Sequence, residues 1–297
     1  YNWIKKWKVP DIVPQSVSTP ETLYVMADEK YIGSQNTDKD IMVKCFVTFE
    51  DVQQVSKNRN MLTNRFVLST CSKKPWKVFM DRIAMRYDFT KIKNIALIGD
   101  GGNWIKSGIS ELRLDACNLV KYYLCEFHFK QAIHHITTDK HKRKILIRIF
   151  NNYSKKQFIN ATNIILKYHP DRTGTIKQKV DYIITNYSYI KNMLNFNIGS
   201  SMESHISHLI ASFFASRPKG FSTKNIEKYL LLNDYKNNNI NIFNLYLKTY
   251  NSKHSVRITE DEFDFTLSNS SDIDNIPILK FGHVIPEYKS LRNICHN

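Results

Sequence analysis

Residues 95–109 read IALIGDGGNWIKSGI, and this stretch decides how the rest of the chain is interpreted. The apolar residues Ile95, Leu97 and Ile98 are typical of a buried strand. The strand runs into an acid, Asp100, with glycine on both sides, and glycine allows sharp turns and close approach of the backbone. A carboxylate delivered by a buried strand to such a turn indicates a functional site.

The sequence on either side of this stretch predicts a mixed α/β fold. Strands are predicted over 23–27, 43–49 and 65–71, and a helix follows Pro75 with apolar residues at helical spacing up to Tyr87. The 95–98 strand comes next, and NLVKYYLC (118–125) forms a fifth. The predicted order is therefore three strands, a helix, a strand, a short connection and a strand.

A Lys-rich helical pattern replaces the strands from about residue 127 to residue 198. Apolar side chains there recur at steps of four, three and four, as on one face of a helix, at Ile183, Tyr187, Ile190 and Leu194. We expect residues 129–198 to be almost wholly helical and to project from the sheet as a separate lobe. A further helix is predicted from Ser201, and a loosely packed acidic tail beyond about 250.

Composition and charge limit the kind of function. The 297 residues are 42% hydrophobic and 12% aromatic, which is enough to build one large core or two smaller ones. Forty-three Lys and Arg against 27 Asp and Glu give a net charge of +16, so a polyanion, above all nucleic acid, is the expected partner. The alternative is that frequent Lys and Asn reflect an AT-rich genome.

The cysteines and the apolar runs indicate the cellular compartment in which the protein is expected. The five cysteines are scattered and form no C-x-x-C pair, which favours reduced thiols in the cytoplasm. No apolar run is long enough to span a membrane, and no signal sequence opens the chain. The chain begins at Tyr1 rather than at Met, and we expect that an amino-terminal part is missing.

Three acids occur at the edges of predicted elements: Asp28 ends the first strand, Asp100 the fourth, and Glu203 opens the last core helix. Gathering three carboxylates is unfavourable unless a cation neutralises them, and oxygen ligands suit Mg²⁺ or Mn²⁺. Two such ions about 3.5–4 Å apart serve phosphodiester chemistry. Each acid also has a purely structural interpretation: Asp28 closing a turn, Asp100 capping the next helix, and Glu203 stabilising the first turn of its own helix.

Four motifs between residues 20 and 235 resemble those of the ISLre-type bacterial insertion-sequence transposases, which are related to the Mutator-like group: LYVMADEKYIGSQ, GDGGNWIKSGI, CEFHFKQAI and SMESHISHLIASFFASRPKGFS. The resemblance implies an RNase H-like α/β domain with a mixed sheet, an Asp, Asp, Glu triad and an all-helical insertion before the Glu. By motif, the triad would be Asp28, Asp100 and Glu203, holding two Mg²⁺ or Mn²⁺ ions.

The same resemblance implies an activity and partners. Such enzymes cut double-stranded DNA at the ends of a mobile element and join a 3′-hydroxyl to target DNA, as homo-oligomers in the active complex. The carrier is either a simple insertion sequence or an integrative conjugative element. The family's amino-terminal helix-turn-helix region has no counterpart in this sequence. Gly102, Ser204, Lys219 and Phe221 depart from the residues that we expect in the motifs, but none of these departures removes an acid.

Cys125 and His128 of CEFH match a C/D-x-x-H motif of related transposases. Both follow a strand end beside the predicted metal site, where His128 would bind a phosphate or orient an acid. The alternative is a small core thiol and a satisfied polar group. A zinc site that combines them with His205 and His208 is disfavoured.

A further set of side chains is predicted to contact DNA. Trp104 and Lys106, just beyond the second acid, would hold a flanking base and a phosphate, although Trp104 packing against the helical insertion is an equal alternative. The remaining predicted DNA contacts are His205, His208, Arg217 and Lys219.

The predicted organisation is a lead-in (1–20), the first part of the core (21–128), a helical insertion (129–198), the last part of the core (199–235) and a helical and acidic tail (236–297). Two functions compete with a transposase. One is a hydrolytic nuclease or junction resolvase of the same fold, which would not need the long insertion. The other is a degenerate DNA-binding protein without activity, which the presence of all three acids disfavours.

Overall fold

The computed structural model of the chain describes residues 6–36, 38–56, 59–113, 118–196, 214, 221–222 and 225–254. Its strands are β1 (Thr22–Ile32), β2 (Ile41–Phe49), β3 (Asp51–Ser56), β4 (Arg59–Thr63), β5 (Phe66–Thr70), β6 (Asn94–Gly99) and β7 (Leu119–Leu124).

Helices α1 (Pro75–Arg86), α2 (Asn103–Lys106) and α3 (Gly108–Glu111) lie among the strands. They are followed by α4 (Glu126–Ile136), α5 (Lys140–Asn152), α6 (Lys155–Lys167), α7 (Thr173–Thr185), α8 (Tyr187–Leu194), α9 (Ile226–Asn237) and α10 (Ile242–His254).

The main sheet has five strands in the order β5-β2-β1-β6-β7. β2 is antiparallel to both β1 and β5, whereas β6 is parallel to both β1 and β7. The predicted α/β class with a mixed sheet is therefore confirmed. The sequence did not predict the separate hairpin of β3 and β4, because its strands are short, mostly exposed and lack a clear alternation of apolar and polar residues.

The two faces of the sheet carry different residues because side chains alternate along a strand. One face of β1 carries Leu23, Val25 and Ala27, which join the main hydrophobic cluster together with Phe79 of α1. The other face carries Met26, which is fully buried, and then Asp28. Asp28 therefore follows an apolar row on a buried face. The prediction that it ends the first strand is wrong, because β1 continues to Ile32 and stays paired with β2 over that length.

The helical block is confirmed over its described part, where α4 to α8 occupy nearly all residues up to 194. The expectation that it projects as a separate lobe is wrong. Its apolar residues, including Phe150 and Ile183, belong to the same hydrophobic cluster as Leu97 of the sheet. The Asn192 side-chain amide also donates to the backbone carbonyl of Tyr122 at 3.0 Å. The apolar faces of these helices require burial, and the sheet provides the surface that buries them.

The chain divides into two compact units, of which Val13–Thr223 is the larger. The smaller unit combines Tyr1–Ile12 with Lys224–Asn297 and contains α9 and α10. Within it, the indole N–H of Trp7 donates to the Thr249 hydroxyl at 3.0 Å. The predicted acidic tail lies outside the described residues beyond 254. Among the described helices, none is both long and apolar enough to cross a membrane.

Candidate active site

Asp28 lies in β1, and Asp100 directly follows β6, the parallel neighbour of β1. The β1–β6 register runs to Met26 opposite Ile98, and two further residues along each strand lead to Asp28 and Asp100. The charge of Asp100 raises the pKa of Asp28, as expected for two carboxyl groups that lie close together. The structure thus brings together two of the three acids that the sequence analysis assigned to one site.

The carboxyl group of Asp28 is partly buried, and its pKa is about 6, above its ordinary value of 3.8. Burial is the largest cause of this rise; the backbone N–H of Glu29, which donates to Asp28 Oδ1 at 2.8 Å, acts in the opposite direction. The charge of Asp100 raises the pKa further, while that of His128 lowers it. A cation beside Asp28 would therefore remove an unfavourable interaction.

The loop after β6 explains the glycines around Asp100. Gly101 has φ +95°, a left-handed conformation that side-chain-bearing residues rarely adopt. The turn brings the backbone N–H of Gly102 to 2.7 Å from Asp100 Oδ1, so the carboxylate accepts a hydrogen bond from its own loop. The loop thereby orients the Asp100 carboxylate at the end of the strand.

Two tyrosines hold the peptide group between Asp100 and Gly101. The hydroxyl of Tyr182 in α7 donates to the Asp100 carbonyl at 2.6 Å, and the Gly101 N–H donates to the hydroxyl of Tyr122 in β7 at 2.9 Å. Sequence reasoning missed both residues. Tyr122 was visible only as part of a predicted strand, and Tyr182 is far away in sequence, in a helix with no motif of its own.

Cys125 and His128 come directly after β7, which flanks β6 on the side opposite β1. The Cys125 N–H donates to the Gly99 carbonyl at 2.8 Å and its side chain is fully buried, so it continues the β6–β7 pairing at the level of Asp100. His128 lies in the first turn of α4. Its Nδ1 is buried and has no hydrogen-bond partner in the part of the chain that the structure describes. That nitrogen is suited to bind a group that enters the site.

Trp104 lies beneath the loop in an aromatic cluster with Trp76 and Phe46. Its indole N–H donates to the Glu29 carboxylate, and its carbonyl accepts from the Trp76 indole at 2.6 Å. The Lys106 ammonium lies 5.8 Å from the ring centre of Tyr189 in α8. These contacts position both side chains beside the site, and their contact with DNA stays a prediction.

Five predicted site residues lie outside the described residues: Glu203, His205, His208, Arg217 and Lys219. The described residues on either side of that segment are attached to the sheet. Phe196 stacks on Tyr123 of β7 at 4.0 Å. Phe221 donates its N–H to the Gly33 carbonyl at 2.9 Å and forms a parallel bridge with Ser34, just after β1. The described residues that flank the segment containing Glu203 therefore contact β7 at Phe196 and the end of β1 at Phe221.

Asp28 and Asp100 supply carboxylate oxygens, the donors that Mg²⁺ and Mn²⁺ prefer. Within the described ranges, no group of three or more His, Cys, Asp and Glu side chains is arranged to bind a metal ion. The two acids fit part of such a site.

Comparison with known proteins places the chain among related sequences. Residues 14–241 match the model of a family described as "Uncharacterised protein family (UPF0236)". The UPF0236 protein TTE0610/TTE0881/TTE1053/TTE2432 of Caldanaerobacter subterraneus subsp. tengcongensis is 26% identical over 290 residues, covering 91% of this chain and 60% of its own length. The UPF0236 protein TTE1650/TTE2708 of the same organism is also 26% identical, over 56% of its length.

A third relative in that organism is 25% identical over 290 residues, and its name joins eleven locus designations, from TTE0033 to TTE2212. The chain spans about 60% of the length of the relatives that it matches. The match to the family model extends over most of the chain, from the lead-in before β1 to the start of α10. This chain is a member of the UPF0236 family.

Proposed function

We propose that the larger unit of this chain is the catalytic domain of a DDE-type DNA transposase. The observation that carries the proposal is the placement of Asp28 in β1 and of Asp100 directly after the adjacent parallel strand β6, where the charge of Asp100 raises the pKa of Asp28. Glu203 completes the triad. The three carboxylates would hold two Mg²⁺ or Mn²⁺ ions, which when bound activate the attacking oxygen and stabilise the leaving oxygen in phosphodiester chemistry.

The order of elements supports an RNase H-like fold. In the main sheet, three antiparallel strands are followed by α1 and then by two strands parallel to the first, which agrees with the predicted order of strands and helix. A block of helices then separates Asp100 from Glu203. A hydrolytic nuclease of this fold has no evident need for such a block, whereas a transposase uses extra surface to hold element ends and target DNA.

The names of the relatives support a mobile element. One protein in Caldanaerobacter carries eleven locus designations and another carries four. A gene represented at many loci of one genome is expected when its product moves or copies the DNA that encodes it. We extend this inference to the present chain through its family membership.

The charge of the helical block supports DNA as the partner. Residues 127–196 contain thirteen Lys and Arg, three Asp and no Glu, so they account for ten of the sixteen surplus positive charges. Lys140, Lys142 and Lys144 are exposed along the first turns of α5. Duplex DNA carries closely spaced phosphates that exposed lysines neutralise.

The catalytic proposal is tested by strand transfer with the full-length protein. The substrates are a labelled duplex from the DNA that flanks the gene and a supercoiled target plasmid, with Mn²⁺ or Mg²⁺. We expect cleavage and joining by the wild type, and loss of both in Asp100→Asn with DNA affinity retained. Asp81→Asn is the matched control, because Asp81 is exposed on α1, on the sheet face opposite Asp28. Cleavage without joining would favour a nuclease, and binding alone would favour a degenerate DNA-binding protein.

The DNA surface is tested by neutralising Lys140, Lys142 and Lys144 together as glutamines. Each lost phosphate contact removes about 0.9 from the slope of log affinity against log salt, so we expect a reduction of up to about 2.7. The control replaces the exposed residues Lys73, Lys74 and Lys77 by glutamine, which removes the same net charge near the start of α1. Equal effects of the two triple variants would mean that the positive charge acts diffusely and that α5 is not a DNA surface.

A further inference from the structure

We propose that Tyr122 and Tyr182 are positioning residues that clamp the Asp100–Gly101 peptide and make the geometry of Asp100 depend on the docking of the helical block. The inference rests on the proposed function, because it assigns Asp100 to the metal site. It adds a role for two residues from other elements, one in the sheet and one in the helical block. Neither residue belongs to the motifs that carry the family resemblance.

The clamp acts on both polar groups of a single peptide. The Asp100 carbonyl accepts from Tyr182 at 2.6 Å, and the Gly101 N–H donates to Tyr122 at 2.9 Å. Because a peptide group is planar, holding its oxygen and its nitrogen fixes its orientation. The Cα of Asp100 belongs to that plane, so the clamp fixes the position of the atom from which the Asp100 side chain extends.

The glycines provide the space for the clamp. A Cβ on Gly99 would lie 2.8 Å from the Tyr122 hydroxyl and 2.6 Å from Ile105 Cγ2, so any larger residue would displace the hydroxyl from Gly101. A Cβ on Gly101 would lie 3.1 Å from Asn186 Oδ1. Asn186 follows α7 and donates to the Tyr182 carbonyl at 2.8 Å. The loop is therefore packed directly against the end of the helix that supplies Tyr182.

A tyrosine hydroxyl is protonated at neutral pH, as donation by Tyr182 to the Asp100 carbonyl requires. Burial is the largest cause that raises the pKa of both Tyr122 and Tyr182, and the negative charge of Asp100 raises both further. Tyr182 is thus a hydrogen-bond donor to the carbonyl throughout the physiological pH range. The clamp is not a pH switch; it is a fixed link between α7 and the loop.

The link has a mechanical consequence. α7 packs in the same hydrophobic cluster as the sheet through Ile176 and Ile183, which places the Tyr182 hydroxyl at the loop. A displacement of α7 would remove the donor from the Asp100 carbonyl. The block that we propose to bind DNA is therefore also the block that orients the proposed metal ligand Asp100. The rate of cleavage would be sensitive to this contact, because a misplacement of about 1 Å in a catalytic site can cost about a hundred-fold in rate.

The test compares Tyr182→Phe with Tyr187→Phe in the full-length protein. Both variants keep an aromatic ring of the helical block and remove a hydroxyl that donates to a backbone carbonyl. Tyr182 donates to Asp100 at 2.6 Å, and Tyr187 donates to Tyr153 at 3.4 Å. Mn²⁺ binding, the cleavage rate at saturating DNA, the DNA dissociation constant and the exchange rate of the Gly101 amide are measured. Tyr122→Phe is a second variant that removes the acceptor of that amide.

For Tyr182→Phe we expect about a ten-fold lower cleavage rate and about a ten-fold weaker Mn²⁺ binding, the factor that corresponds to the loss of one net hydrogen bond. Its DNA dissociation constant stays unchanged, excess Mn²⁺ restores part of the rate, and the Gly101 amide exchanges faster. Tyr187→Phe behaves as wild type. An active wild type with indistinguishable Tyr182→Phe and Tyr187→Phe would overturn the clamp alone. A wild type that neither binds Mn²⁺ nor cuts DNA would overturn the proposed function and the clamp together.

Discussion

Glu50 and Asp28 are both partly buried acids in the larger unit, yet their surroundings are opposite. Glu50 follows β2, and its carboxylate accepts hydrogen bonds from four side chains: Ser16 at 2.7 Å, Asn64 at 2.8 Å, Tyr87 at 2.9 Å, and Ser18. Burial by itself would raise the pKa of Glu50, but these donors hold it below its ordinary value. Glu50 is thus a carboxylate whose folded environment favours the charge.

Asp28 is in β1, where the backbone N–H of Glu29 donates to it and the charge of Asp100 acts against it. Its pKa rises to about 6, chiefly because of burial. The contrast teaches how to distinguish a structural acid from an acid kept for a ligand. Glu50 is surrounded by donors from its own chain, whereas Asp28 lies beside a second negative charge, which a bound cation would neutralise under the proposed function.

The largest expected effect is that substitution of Asp28 lowers the rate of metal-dependent cleavage, whereas substitution of Glu50 does not. Asp28→Asn keeps the shape of the side chain but removes the charge that would hold the metal, so we expect metal-dependent cleavage to fall by about a thousand-fold or more. Glu50→Gln should keep the wild-type rate per folded molecule. Cleavage rates at saturating Mn²⁺ and DNA test the pair. Wild-type cleavage by Asp28→Asn would contradict the comparison.

The second expected effect is that substitutions of Glu50 and Asp28 change the free energy of unfolding of the metal-free protein in opposite directions. Glu50→Ala leaves four donors without their acceptor, and because water reaches part of this cluster we expect a loss of about 2 kcal/mol in the free energy of unfolding. Asp28→Asn removes an unfavourable buried charge and should raise that free energy by about 1 kcal/mol at neutral pH. Urea unfolding measures both, with Asp81→Asn as an exposed control. A loss of stability in Asp28→Asn would mean that its charge is already compensated.

The two acids should also respond oppositely to pH. Asp28 has a raised folded pKa, so its contribution favours folding below about pH 4 and is lost as the pH rises through about 6, a change on the order of 2 kcal/mol. Glu50 has a lowered folded pKa, so its contribution is present above its unfolded pKa and is lost as the pH falls through the folded value.

Unfolding of the wild type, Asp28→Asn and Glu50→Gln across pH 3–8 without metal separates these contributions. Asp28→Asn should abolish the decrease in the free energy of unfolding that the wild type shows as the pH rises from 4 to 6. Glu50→Gln should reduce the decrease that the wild type shows as the pH falls below the ordinary pKa of a glutamate. Identical profiles for the wild type and Asp28→Asn would contradict the raised pKa of Asp28.

The smallest effect concerns one donor. Ser16→Ala removes a hydroxyl 2.7 Å from the Glu50 carboxylate, which keeps its other three donors. We expect a loss of about 1 kcal/mol in the free energy of unfolding. Double-mutant cycles with Glu50→Ala test whether the loss depends on Glu50, and additive effects would show that Ser16 stabilises the fold in another way.

The sequence by itself determined the local elements and the candidates for the site. Alternation and apolar runs located the strands of the main sheet, although β1 continues five residues beyond its predicted end at 27, and helical spacing located the block that contains α4 to α8. The sequence also singled out Asp28 and Asp100, because each interrupts a buried strand pattern. These features are readable since they depend on residues close together in the chain.

Only the tertiary structure decided which distant residues meet. The parallel register of β1 and β6 places Asp28 beside Asp100, and the docking of α7 brings Tyr182 to the Asp100 carbonyl. The donors around Glu50 likewise come from three separate segments, and the helical block shares the core of the sheet instead of projecting from it. Such contacts are selected by the joint burial of apolar faces, which is a property of the whole packed chain rather than of any local pattern.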